Sequence, residues 1–300
     1  MKDGGAAHAA SLPAALSAAL ACDVAPAPAA EVHGGCINQC FRWETANGPA
    51  FVKLAAAERF DMLEAERDGL AELAAAAAVR VPRALGLGAC RDGAFLALEW
   101  VELGPGSRAA EALLGERLAW QHRTRADRYG LGRDNTIGST TQPNGWSDDW
   151  ISFLRDRRLG FQLELAAQQG HGGRLQARGL LLLASLDVFF ASYRPAPSLL
   201  HGDLWGGNWG VDPEGQPVIY DPAVYYGDRE ADIAMTRLFG GFGAGFYAAY
   251  VATWPLDQAA GTRRDLYNLY HVLNHLNLFG GGYRAQAEGM IDRLLAAAGH

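Results

Sequence analysis

Along the first hundred residues the period of the apolar positions keeps changing. PAAEVHGGCINQCFRWET at 28–45 reads as a strand, a glycine turn and a second strand. ANG at 46–48 is a hairpin turn, and AFVKLA at 50–55 alternates as a third strand. Glu58 to Ala78 is a long helical run of Ala, Leu and Glu, closed by VRVP at 79–82. RALGLGAC, RDG and AFLALEWV then form another hairpin. The pattern predicts a small antiparallel sheet with one long helix inserted after its third strand. The Ala-rich residues 6–21 add a helix in front of it.

Beyond ELGPG at 102–106 the period becomes helical. Helices are expected at about 109–124, 148–169, 173–192, 229–240, 243–253, 262–279 and 284–298. Two short strands, near 198–201 and 217–221, interrupt them. The expectation is an α+β, bilobal chain: a β-rich lobe over 1–102 and a larger, mainly helical lobe over 103–300, joined at a Gly-Pro hinge.

Composition narrows the function classes. With 300 residues and 49% hydrophobic content the chain can bury a large core. A formal charge of −7 leaves no basic footprint for nucleic acid. No run approaches the ~18 apolar residues of a membrane helix. The Ala-rich start contains Pro13 and more Ala than Leu, unlike a secretory leader. Cys22, Cys36, Cys40 and Cys90 form no CxxC pair, which argues against zinc and for a reducing cytoplasm.

The chemistry concentrates in LLHGDLWGGNWG at 199–210. Asp203 and Asn208 stand five apart, the spacing of a kinase catalytic-loop Asp and Asn. Asp203 would accept a substrate hydroxyl proton, and Asn208 would offer its amide oxygen to magnesium. Asp221, ending the apolar run PVIYDPA, supplies a second metal ligand. Asp203 alone could be a cap or turn residue; the combination with Asn208 and Asp221 is much rarer. Upstream, Lys53 sits in an apolar strand where an unpaired ammonium is costly. It would grip the α- and β-phosphates of ATP and pair with a helix glutamate, Glu66, with Glu64 as the alternative about 200° around the helix. Gly34 and Gly35 in HGGC occupy the place of a phosphate-covering loop without its full GxGxxG pattern. The backbone around Glu99 and Val101 would meet adenine. Trp205 could stack on a sugar ring or simply pack. GSTTQPNGWSDDW at 138–150 is either a capping loop or a substrate rim. Cys36, in the glycine loop, is either packing or an exposed thiol able to link two chains.

GGCIN, FVK, EAERDGL, LHGDLWGGNWG, DPAVYYGDREADIAM and LNHLNLFGGGY together resemble the fructosamine kinase (ketosamine-3-kinase) family over about residues 25–298. That family is related to aminoglycoside and choline kinases and has the protein-kinase-like fold. The resemblance implies ATP- and magnesium-dependent phosphorylation of the sugar 3-hydroxyl of ketosamines, either free or on glycated proteins. The unstable 3-phosphate eliminates and frees the amine, which amounts to protein repair. It also implies a substrate contact for His275 and a loop-holding role for Asp232. Gln39, and Gln121 in LAWQHR, depart from the family pattern. The alternatives are an aminoglycoside, choline or homoserine kinase, or an inactive nucleotide-binding module. The presence of Lys53, Glu66, Asp203, Asn208 and Asp221 argues against the last.

Overall fold

The structure, a computed structural model, describes residues 10–32, 38–240 and 242–300. The chain divides into two compact units, Met1–Pro105 with Gly210–Asp221, and Gly106–Trp209 with Pro222–His300.

In the first unit, helix α1 (Leu12–Leu20) precedes strands β1 (Ala30–Glu31), β2 (Gln39–Trp43) and β3 (Ala50–Ala55). Helix α2 (Phe60–Ala76) follows, then β4 (Ala84–Cys90) and β5 (Gly93–Glu99). The sheet order is β1-β2-β3-β5-β4, antiparallel throughout. β5 lies between β3 and β4, which explains why GAFLALE is apolar almost without interruption. Leu12 and Leu16 of α1 pack on Trp43, Val52 and Phe95. On α2 the buried positions Leu63, Leu70 and Leu73 recur at helical spacing, and Ala77 ends the helix at φ 52°. The Glu58–Ala78 expectation is met apart from a 3₁₀ turn over Ala57–Arg59. The hairpin of Trp209–Val211 with Pro217–Ile219 joins this unit through bridges Gly104–Val211 and Arg80–Val218. A midchain segment thereby completes the N-terminal unit.

The second unit begins with α3 (Arg108–Gln121), capped by Ser107, whose hydroxyl accepts from the Ala110 N–H at 3.1 Å. Strands β6 (Asn135–Ile137) and β7 (Thr140–Gln142) form a hairpin where the sequence reads as loop. Its polar side chains concealed it: Asn135, Gln142 and Asn144 are buried and satisfy one another, with Asn135 Oδ1 accepting from Gln142 at 2.8 Å and Asn144 at 2.9 Å.

The helix expected over 148–169 is instead α4 (Trp150–Phe153), a π-helical turn over Leu154–Leu159 and α5 (Gly160–Gln168). The wider turn contains Arg158, fully buried against Phe153, Tyr225 and Tyr270 and donating to the carbonyl of Pro143 at 2.6 Å. Asp149 caps α4 by accepting from the Ser152 N–H at 2.7 Å, which decides for the capping reading of that residue.

Helix α6 (Arg174–Ala184) ends before a 3₁₀ stretch, and α7 (Glu230–Met235) is half its expected length. α8 (Ala244–Thr253), α9 (Ala260–Phe279) and α10 (Arg284–Ala297) lie close to expectation. α9 and α10 pack Leu266, Leu269, Leu273 and Leu276 against Met290, Ile291 and Leu294 in the main core. The two expected strands do not pair with each other. Ser198–Leu200 pairs with Tyr225–Gly227, and Pro217–Ile219 pairs with Trp209–Val211. No helix among the described residues is long and apolar enough to cross a membrane.

Candidate active site

In the first unit, β3 and α2 bring three of the expected residues together. Lys53 lies opposite Cys40 of β2 and Leu96 of β5, and only 5% of it is exposed. Its Nζ donates to Glu66 Oε1 at 2.6 Å and to Asp221 Oδ1 at 2.5 Å. Glu66 is therefore the helix partner, while Glu64 binds Arg67 at 3.3 Å. Burial by itself would lower the Lys53 pKa, but the two carboxylates reverse this and hold the ammonium above its usual range. Burial pushes Glu66 up against the opposing pull of Lys53. The Cys40 thiol is pushed up to about 11, chiefly by burial, which leaves it unreactive. Asp221 sits in the left-handed region at φ 56°, a conformation in which Asp is one of the more tolerant side chains.

Glu99 ends β5 with its carboxylate accepting from Arg80 at 2.9 Å and Arg83 at 3.2 Å. Its backbone N–H donates to the Arg83 carbonyl at 2.8 Å. Any backbone contact of Glu99 with a base thus falls to its carbonyl. Arg80, which the sequence reading did not single out, also reaches Asp212 Oδ2 at 2.5 Å. Asp212 in turn accepts from the Gln216 N–H at 2.8 Å and closes the turn of the 209–219 hairpin. Gly34, Gly35 and Cys36 lie outside the described residues.

In the second unit, Asp232 of α7 holds the HGD loop. It accepts from the N–H of His201 at 2.7 Å and of Gly202 at 2.8 Å, the supporting contact expected of it. His122 Nε2 lies 3.1 Å from the same carboxylate, and its Nδ1 lies 2.7 Å from the Tyr250 hydroxyl. Burial raises the Asp232 pKa, but the His122 bond and the other donors take it below the usual carboxylate value. Burial also lowers His122, against the pull of Asp232. Gly202 is at φ 83°, and a Cβ there would meet the Ala223 carbonyl oxygen at 2.0 Å. Only glycine lets the chain turn here.

Asp203 follows, and Asn208 Nδ2 donates to its backbone carbonyl at 2.9 Å and to its Oδ2 at 3.3 Å. With its nitrogen turned to Asp203, Asn208 has its amide oxygen as the ligating end. An amide oxygen is a hard donor of the kind magnesium takes, as is a carboxylate such as that of Asp221 in the first unit. Trp205 is 36% exposed and lies over Gly207, where a Cβ would be 2.3 Å from its ring. His275 is half-buried on α9, with Nδ1 2.8 Å from the His271 carbonyl. His271 is buried and its pKa is pushed down to about 3, chiefly by desolvation.

Comparison with known proteins places the chain among relatives. The sequence profile of the family described as fructosamine kinase matches residues 10–297. A chloroplastic protein-ribulosamine 3-kinase of Arabidopsis thaliana is 43% identical over 88% of this chain and 81% of its own. A candidate fructosamine-3-kinase of Haemophilus somnus 129PT, known from its crystal structure, is 28% identical. It superposes with a TM-score of 0.86 over 95% of this chain and 97% of that one. An aminoglycoside phosphotransferase captured with ADP and hygromycin B is only 15% identical, at a TM-score of 0.66 over 95% and 98% of the two chains. That second likeness speaks for a shared kinase-like fold.

Proposed function

We propose that this chain, which belongs to the fructosamine kinase family, is an ATP-dependent kinase for the sugar 3-hydroxyl of ketosamines. Its substrates would be ribulosamine or fructosamine adducts of lysine, free or on glycated proteins, and its setting the cytoplasm. The observation that carries the reading is the buried Lys53, ion-paired with both Glu66 and Asp221. An ammonium in an apolar strand is costly to keep unless its charge is used.

The roles follow residue by residue. Lys53 would hold the ATP phosphates, oriented by Glu66. Residues 1–102 would serve the nucleotide, with Gly34 and Gly35 over the phosphates and the Glu99 carbonyl and Val101 at the adenine. Asn208 and Asp221 would hold magnesium, which when bound neutralises charge on the phosphates. Asp203 would take the proton of the attacking hydroxyl, kept in place by Asn208 and by the loop that Asp232 fixes. Trp205 would pack on the sugar, and His275 would contact the substrate.

The test is ATP consumption with ribulosyl-lysine, fructosyl-lysine, kanamycin and choline side by side. Turnover of the ketosamines with release of the amine is the expected result. Turnover confined to kanamycin or choline would replace this reading with that of a small-molecule kinase.

A further inference from the structure

Among the large apolar side chains exposed at the surface, one belongs to a cluster of rings. Phe279, at the C-terminal end of α9, is 60% exposed, although burying such a ring is worth roughly 1.5–3 kcal/mol. It does not stand alone. Its ring centroid lies 5.3 Å from His275 and 6.4 Å from Tyr283. His275 also lies 5.2 Å from Tyr283 and 4.4 Å from Phe239. Three aromatic rings and an imidazole thus form one continuous strip.

The strip adjoins the Asp203 loop. A Cβ on Gly206 would stand 3.2 Å from the carbonyl oxygen of Gly240, the residue next to Phe239. The Asp203 charge also reaches α9: burial chiefly, and Asp203 in part, push up the ionisation of the Tyr270 hydroxyl, five residues before His275. The strip thus lies beside the loop at which a sugar would be seated, where a substituent of that sugar could meet it.

The chemistry of the strip suits a cation with attached methylenes. Aromatic faces carry negative potential and attract ammonium groups. His275 adds no competing charge, since burial lowers its pKa. With Nδ1 on the His271 carbonyl, its Nε2 is left as an acceptor for an N–H. A ketosamine has such a substituent: a secondary ammonium on the sugar, continuing into an alkyl chain.

Building on the ketosamine reading, we propose that Phe239, His275, Phe279 and Tyr283 form a subsite for the ammonium and alkyl stem of the substrate. It is a specificity determinant that separates ketosamines from neutral sugars.

The experiment compares KM for ribulosyl-lysine with KM for its counterpart acylated on the sugar-bearing nitrogen, which has the same stem but no charge. Wild type should favour the ammonium. Phe279→Leu keeps apolar area but loses the π face, so this preference should fall about two- to thirty-fold. Phe279→Trp should restore it. An unchanged preference in Phe279→Leu, or an equal rise in both KM values, would overturn the subsite, because it would mark plain apolar contact. Failure of the wild type to phosphorylate ribulosyl-lysine would end the ketosamine reading, and this subsite with it, before any variant is compared.

Discussion

Asp203 is the residue on which the proposed chemistry turns. Replacing it by Asn keeps the shape of the side chain and removes the basic oxygen. Asp203→Asn should cut turnover by about 10²–10⁴, with ATP affinity by calorimetry close to wild type. Retention of more than about a tenth of wild-type turnover would end the assignment. Asp203, Asn208 and Lys53 could be read from the chain because each stands in a pattern of its own, a glycine-rich run or an apolar strand. The sequence offers both Glu66 and Glu64 on the same helix, and the ion pair with Lys53 belongs to Glu66. His122 could be seen only as part of a familiar pattern, and its place beside Asp232 depends on a contact 110 positions away. The left-handed backbone of Asp221 leaves no mark in the sequence at all.

At the scale of elements, Arg80 is the tie with the clearest consequence. Its two guanidinium nitrogens reach Glu99 at the end of β5 and Asp212 in the hairpin turn, and its carbonyl accepts from the Ile219 N–H at 3.0 Å. Arg80→Ala leaves the nearly buried Asp212 carboxylate without its charged partner. Solvent screens the half-exposed guanidinium, so the expected cost is about 1–2 kcal/mol, read from the urea midpoint. Because the hairpin leads into Asp221, KM for Mg·ATP should rise while KM for the ketosamine stays near wild type. An unchanged KM for Mg·ATP would make Arg80 a purely structural tie.

Strands β2, β3 and β5 were legible because alternating or unbroken apolar runs mark them. The β6–β7 hairpin was not, because it buries the amides Asn135 and Gln142, which are satisfied by each other and by partners distant in sequence, such as the Val224 carbonyl and the Tyr270 hydroxyl. Nor was the π-helical turn, since LRDRRL holds no Gly or Pro to mark a break in the helical run.

For the molecule as a whole, acid stability sets two buried groups against each other. His271 is neutral in the native state down to about pH 3, while the unfolded chain takes up its proton near the ordinary imidazole value of 6.5. Acid therefore favours unfolding at this residue, progressively from 6.5 down to about 3. Asp228 acts in the opposite sense. Burial, helped by Glu230, raises its carboxyl to about 6 against the bonds from Tyr267 and Tyr193. As pH falls from 6 towards 3.8, the native state takes up that proton first and gains stability. Between about pH 6 and 4 the contributions of these two groups thus oppose each other. His271→Gln removes one side of the balance. Its stability relative to wild type should rise by roughly 2 kcal/mol between about pH 6.5 and 4.5, measured by urea unfolding at each pH. A constant difference would mean that His271 is not held neutral.

The first compact unit is assembled from Met1–Pro105 and Gly210–Asp221, and this discontinuity bears on how the chain is born. A ribosome delivers residues in order, so the sheet of β1–β5 emerges long before its hairpin has been translated. Until then Gly104 lacks its Val211 partner, Arg80 lacks Asp212, and Lys53 has Glu66 but no Asp221. The nascent N-terminal segment must wait, incomplete, through the synthesis of the hundred or so residues between, and any gene fragment ending near Pro105 would encode only the unfinished form.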